Sequence, residues 1–271
     1  MSRSMMQAAV TMNQLQNKLD MIGGNLANSQ TTGYKARKAD FSSLLSQQID
    51  NMNDPANAEG RSTPDGIRVG SGARLGAVDL DLSHGAVKDT GRKLDTALLD
   101  KNHLFEIQTP ETRYTRDGAF YLSPVNDGED VMLTTENGDP VMGENGEIVF
   151  EEGFDDVTIE TNGQISVERG DTTENAGKLA INDAIRPQLL EPAGESSFRM
   201  PDLAEAGYNA EEIMQPADDE GNVLRHGALE QANVDLGEQF TDMMTAQRSY
   251  QFNARTLSMG DQMMGLINQL R

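Results

Sequence analysis

Apolar side chains recur at helical spacing at both ends of this chain and at strand spacing through its middle. At the N-terminus Met5, Ala8, Met12, Leu15, Leu19, Ile22 and Leu26 follow alternating steps of three and four, the pattern that keeps one apolar line on one side of a helix. At the C-terminus Leu236, Met243, Tyr250, Leu257 and Met264 recur every seven residues, and Phe240 and Ala254 share their seam with Gln247, Asp261 and Asn268. A stripe so interrupted by polar residues cannot form a dry core alone, so the spacing predicts that the two helices pair as a coiled coil. The second helix is the longer, and its excess predicts contacts beyond the chain's own first helix. The plainer alternative is a helical pair packed on an ordinary domain.

Between the helices the pattern changes. Phe41, Leu44, Leu45 and Ile49 suggest a short second helical piece, and 51–76 is rich in Asn, Asp, Pro, Gly and Ser, a composition of extended chain and turns. From 77 the period becomes two: Val78, Leu80 and Leu82 alternate with Asp79, Asp81 and Ser83, as in a half-buried strand. Strand-like runs follow at 104–109, 119–122, 131–134, 147–150, 157–159 and 164–167. Among them lie Asp117-Gly118, Asn137-Gly138, Asn145-Gly146 and Asn162-Gly163, dipeptides suited to tight hairpin turns. Leu179, Ile181, Ile185, Leu189 and Leu190 continue the apolar pattern, and 201–228 reads as an irregular return path. The expected class is α+β, long terminal helices paired as a coiled coil with a mainly antiparallel β domain inserted. The division is 1–28, N-terminal assembly helix; 29–76, turn-rich linker with a short helix; 77–200, β-rich domain; 201–228, return linker; 229–271, C-terminal assembly helix.

Charge narrows the functions. With 44 acidic against 22 basic residues the formal net charge is −22, and no Lys or Arg occurs between Arg116 and Arg169. Nucleic acid is therefore a poor partner, because phosphate contacts need clustered cations. There is no cysteine, which removes disulfides and thiolate chemistry. No apolar run reaches the ~18 residues of a membrane span. Gln7, Thr11, Asn13 and Gln14 interrupt any secretory-signal core near the start, which fits a cytoplasmic protein or one exported without cleavage. Candidate chemistry is sparse. Gly70, Gly72 and Gly76 lack the spacing of a dinucleotide loop, and His84, His103 and His226 lack metal-ligand spacing. The acidic turns 127–130 and 218–222 lack the ordered ligands of a calcium loop. No catalytic, metal or cofactor-binding residue is assigned, and no cofactor is expected.

Three motifs carry a resemblance. The run Asn25-Leu26-Ala27-Asn28-Ser29-Gln30-Thr31-Thr32-Gly33-Tyr34-Lys35 closely resembles the N-terminal signature of the flagellar rod and hook axial proteins. The run Leu229-Glu230-Gln231-Ala232-Asn233-Val234-Asp235-Leu236, continued by Gln247-Arg248-Ser249-Tyr250-Gln251 and Asn253, is similar to that family's C-terminal signature. Tyr114-Thr115-Arg116-Asp117-Gly118-Ala119-Phe120 resembles its β-domain motif, with Gly70-Ser71-Gly72 and Gly85 on the approach to that domain. Two departures stand out: Asp100-Lys101-Asn102-His103-Leu104-Phe105 replaces a Gly-rich turn, and Ala232 replaces a commoner Ser. Chain length favours a rod protein over the hook protein, and the C-terminal signature favours a distal-rod member, with a proximal-rod or hook-like protein as the alternative.

The resemblance implies a non-enzymatic structural subunit of the flagellar basal body, exported without a cleaved signal peptide through the flagellar export apparatus. It implies stacking with copies of itself, and with other rod and hook proteins, into a hollow helical shaft that transmits torque and conducts exported subunits. Seams and signatures together single out assembly residues. They are Met5, Met12, Leu15, Leu19, Ile22, Leu26, Asn28, Thr32, Gly33 and Tyr34 in the first segment. In the last they are Asn233, Val234, Leu236, Phe240, Met243, Arg248, Tyr250, Asn253, Leu257 and Met264. Readings from other classes are an acidic secreted hydrolase acting on glycan through two carboxylates, and a coiled-coil adaptor with a β ligand-binding module.

Overall fold

The computed structural model describes residues 2–43, 46–49, 67–70, 73–194, 196–203, 207–217 and 221–269. The class is α+β: a 26-residue helix, Ser2–Ala27, opens the chain, a 34-residue helix, Leu236–Gln269, closes it, and antiparallel strands occupy the interval. The chain forms two compact units. One comprises Met1–Gly24, Arg37–Asp79 and Gly237–Arg271, the other Asn25–Ala36 and Leu80–Leu236. No helix among the described residues is long and apolar enough to cross a membrane.

In the first unit the N-terminal helix buries Ala8, Leu15 and Ile22, one residue per heptad, with Met5, Met12 and Leu19 half-buried beside them. The C-terminal helix buries Gln239 and Ala246, and half-buried Asn253 and Gly260 continue that line at the same seven-residue interval. Small residues on this line let the other helix come close. A Cβ on Gly260 would lie 3.0 Å from Met5 Cγ, so the flexible thioether occupies the room that the glycine leaves. Lys18 Nζ stands 3.6 Å from Asp242 Oδ2. Met5 beside Gly260 and Lys18 beside Asp242 mean that the two helices run in opposite directions.

The second helical piece expected around 41–49 is not formed. Arg37–Ser43 is a strand on Ala73–Leu80, and Ser46–Ile49 pairs antiparallel with Ile67–Gly70, with Ser46 opposite Gly70 and Ile49 opposite Ile67. The reason is tertiary: strand pairing with chain some twenty or more residues away overrides a short apolar spacing that helix and strand share. Leu44, Leu45 and residues 50–66 lie outside the described residues.

The second unit is built on a six-stranded antiparallel sheet in the order Glu191–Pro192, Ser197–Arg199, Thr112–Thr115, His103–Gln108, Ile181–Ala184, Met214–Pro216. The period of two divides its side chains. Phe105, Ile107 and Ile181 join a cluster with Phe120, Leu133, Ile165 and Leu179, while Leu104 and Ala184 join another with Tyr114, Phe198 and Ile213. Phe105 and Phe120 meet edge to face with ring centroids 5.1 Å apart, a favoured aromatic geometry. Two three-stranded sheets, Val149–Glu151/Asp130–Thr134/Tyr121–Val125 and Asp156–Ile159/Gln164–Arg169/Thr172–Lys178, supply much of the first cluster. The stretch 201–228, expected to be irregular, contributes the edge strand Met214–Pro216 and the strand Leu224–His226, which pairs with Thr96–Leu98.

Gly138, Gly146 and Gly163 adopt positive φ in turns, as their dipeptides predict. Gly118 does not. A Cβ there would sit 1.8 Å from the Thr96 carbonyl oxygen, so its lack of a side chain serves close backbone approach rather than a hairpin.

Candidate functional site

The three signature stretches converge within the second unit on the carboxylate of Glu230. This residue ends the strand Ala228–Glu230, which pairs with Val87–Asp89 and so fixes its position. Its Oε1 accepts from Lys35 Nζ at 2.7 Å and from the Gly85 amide at 2.8 Å, and its Oε2 accepts from Arg116 Nε at 2.6 Å. Lys35 and Arg116 are each 1 % exposed and Glu230 2 %. Lys35 also donates to the Ser83 carbonyl, and Arg116 to those of His103 and Leu98. His84 Nδ1 lies 3.2 Å from Arg116 Nη2 and 3.6 Å from Glu230 Oε1, on the half-exposed side of the cluster.

The junction holds two buried cations for one carboxylate. Burial pushes the Glu230 carboxyl upward, but Arg116 and then Lys35 outweigh it and hold the group below the ordinary glutamate range. The balance at Lys35 is the reverse. Burial lowers its ammonium below the ordinary lysine range, and Glu230 restores only part of the loss. Burial is the chief cause at Lys35, whereas at Glu230 two cations together outweigh it.

Asn25–Ala36, which we call the strap, reaches this junction in a conformation its sequence dictates. Gly33 has φ +66°, and a Cβ there would lie 2.4 Å from the Asp117 amide nitrogen, so handedness and space both require glycine. The Gly33 amide donates to the Glu230 carbonyl at 2.9 Å. Tyr34 Oη donates to Asn25 Oδ1 at 3.0 Å. Asn233 closes the opposite side: its Oδ1 accepts from the Ala36 amide, and its Nδ2 donates to the carbonyls of Asp81 and Ser83. Burial raises the Asp117 carboxyl, and hydrogen bonds from Thr32 and the Ala119 amide offset part of this.

The residues singled out from sequence occupy three kinds of place. Thr32, Gly33, Tyr34 and Asn233 belong to the strap and its anchors, and Asn28 Oδ1 accepts from Thr31 in the turn before them. Leu15 and Ile22 are buried, whereas Met5, Met12, Leu19, Leu26, Val234, Met243, Tyr250, Asn253 and Leu257 are half-buried. Leu236, Phe240, Arg248 and Met264 are exposed. Sequence reasoning did not single out Lys35, Arg116, Glu230, Gln239 or Ala246. The signal for the first three was a charged residue inside each of three motifs, two of them Lys or Arg in a chain short of both. Among the described residues no group of three or more His, Asp or Glu side chains is placed to hold a metal ion. Glu230 is sealed among two cations and a backbone amide, so it has no open side for acid or base work.

A β unit that ties three distant motifs to one buried carboxylate, in a chain flanked by long helices, describes a scaffold protein. Comparison with known proteins agrees. Residues 6–35 match the family model described as flagella basal body rod protein, 99–167 the FlgE/F/G D1 domain of flagellar hook proteins, and 225–270 the flagellar basal body rod FlgEFG C-terminal region. The flagellar hook-basal body complex protein FlhP of Bacillus subtilis is 39 % identical over 278 aligned positions that cover all of both chains. The flagellar basal-body rod proteins FlgG of Bacillus subtilis and Agrobacterium fabrum are 33 % and 30 % identical, over 97 % and 98 % of each chain. This chain belongs to the flagellar basal-body rod family, among its FlgG- and FlhP-like distal-rod members.

Proposed function

We propose that the chain polymerises, through terminal helices paired as a coiled coil, into a hollow helical segment of the distal flagellar rod. There it is a non-enzymatic subunit that transmits torque and lets exported subunits pass. Its partners are other copies of itself, neighbouring rod and hook proteins, and the flagellar export apparatus that delivers it with its N-terminus uncleaved. Residues 1–28 and 229–271 are the assembly segments.

The observation that carries this reading is the solvent-exposed surface of the C-terminal helix. Phe240, Met244, Phe252, Met259, Met263 and Leu266 are all exposed along this helix, with Phe252 at 69 %. Several large apolar side chains exposed on one helix mark an interaction surface, and ten of the chain's fifteen methionines lie in the two assembly segments. Flexible thioethers suit contacts that differ slightly between neighbours. The direct experiment is electron microscopy of the purified full-length chain over a concentration series. Tubes are expected above a threshold concentration, and a chain that sediments as a monomer and forms no polymer at any concentration would overturn the reading.

A further inference from the structure

Hydrogen bonds and one ion pair anchor the strap around the buried side chains of Tyr34 and Ala36. Its anchors gather around Glu230: the Gly33 amide on the Glu230 carbonyl, Lys35 on its carboxylate, and the Ala36 amide on Asn233 three residues further along the chain.

The charges around the carboxylate are unequal in what else holds them. Arg116 is bonded to the carbonyls of His103 and Leu98 as well as to Glu230, all within the same unit. Lys35 belongs to the strap, and besides Glu230 its ammonium donates to the Ser83 carbonyl. His84 faces both Arg116 and Glu230, Asp81 faces Lys35 at longer range, and Asp100 faces Arg116, His84 and His103. If the Glu230 charge is removed, two buried cations are left facing each other. Arg116 keeps two carbonyl partners within the β unit against one for Lys35, so Lys35 is the less firmly held cation, and its departure lifts the strap.

We infer that Glu230 is a release catch: its carboxylate decides whether Asn25–Ala36 lies docked or lifts away from an otherwise intact β unit. The catch acts within the single chain and does not depend on rod assembly.

The test is amide hydrogen exchange on the full-length monomer in dilute solution, comparing strap amides (Gly33, Ala36) with core amides (Leu133, Val141, Leu179). Glu230→Gln should lower strap protection by about a hundredfold or more, as expected when one partner of a buried ion pair is lost, while core amides change by less than about threefold. In a Lys35→Met background, where no cation is stranded on the strap, the same Glu230→Gln change should cost the strap less than about tenfold. The inference is overturned if strap and core lose protection together, if the strap is unaffected, or if the loss is equal in both backgrounds. Global unfolding of Glu230→Gln would also overturn it, because a catch requires the β unit to survive release. Lys35→Met alone must keep the strap docked.

Discussion

Replacing Phe252 by serine separates an assembly face from an ordinary helix surface. The ring is 69 % exposed, and serine and phenylalanine have nearly equal helix propensities, so the substitution leaves the helix itself unweakened. In the monomer the change should stay within about 0.5 kcal/mol. In a polymer that covers this face, burial of a phenylalanine is worth about 1.5–3 kcal/mol. Only the exposed 69 % remains to be covered, which scales the loss to about 1–2 kcal/mol per contact. At 1.4 kcal/mol per factor of ten, that is about a 5- to 30-fold rise in the critical concentration for polymerisation. The assay is pelleting of polymer from a concentration series of wild type and variant, with the monomer's thermal transition recorded beside it. An unchanged critical concentration would refute the argument, because the ring would then be solvated in the polymer too. A fall of several degrees in the transition would refute it as well, since the ring would then be supporting the folded monomer.

Two further predictions concern the strap. Gly33→Ala adds a left-handed backbone penalty of about 1–2 kcal/mol and drives a methyl into the Asp117 backbone, which breaks the Gly33 bond to Glu230 at about 1 kcal/mol more; strap amides should exchange faster by about thirtyfold or more at that cost, and unchanged exchange would show that the strap is docked otherwise. The pH dependence has a definite sign. Glu230 has a folded value below its ordinary 4.5, so its contribution is complete above 4.5 and is lost as pH falls through the lower folded value. Lys35 has a folded value below its ordinary 10.5, so the unfolded chain holds that proton more tightly and raising the pH toward 10.5 strengthens docking. Asp117, raised by burial, works against Glu230 in acid, so the readout is the difference between wild type and Glu230→Gln. Strap protection relative to the core should fall in acid in wild type only, and an equal fall in Glu230→Gln would exclude the carboxylate as its source.

The two helices were legible because their periodicity runs over many turns, and the alternation of Val78, Leu80 and Leu82 marks a strand that ends at Leu80 in Ala73–Leu80. Legibility failed where local pattern and distant pairing compete. The apolar spacing of Phe41 and Ile49 fits a helix, yet Ile49 stands opposite Ile67 in a ladder that nothing near either residue announces. The buried line of the C-terminal helix was missed for another reason. It runs through Gln239, Ala246, Asn253 and Gly260, chosen for small size or polarity, and a search for apolar repeats passes over them in favour of Met243, Tyr250 and Leu257 beside them. The ionic junction was hidden by distance along the chain. Lys35, Arg116 and Glu230 sit in separate motifs, and only the fold brings them within hydrogen-bond reach.

Lys35 and Glu230 are 195 positions apart in the chain, so their bond helps to close a very long loop. The entropy of closing a loop grows only with the logarithm of its length, and doubling the enclosed chain adds about 0.6 kcal/mol. That is less than one hydrogen bond to a charged group contributes. The chain enclosed between Lys35 and Glu230 is therefore thermodynamically free to grow or shrink. Insertions at its hairpin tips, such as the turn at Asn145-Gly146, should leave the junction and both terminal segments unaltered. This closure gives the chain a fixed socket that accepts inserts of different length.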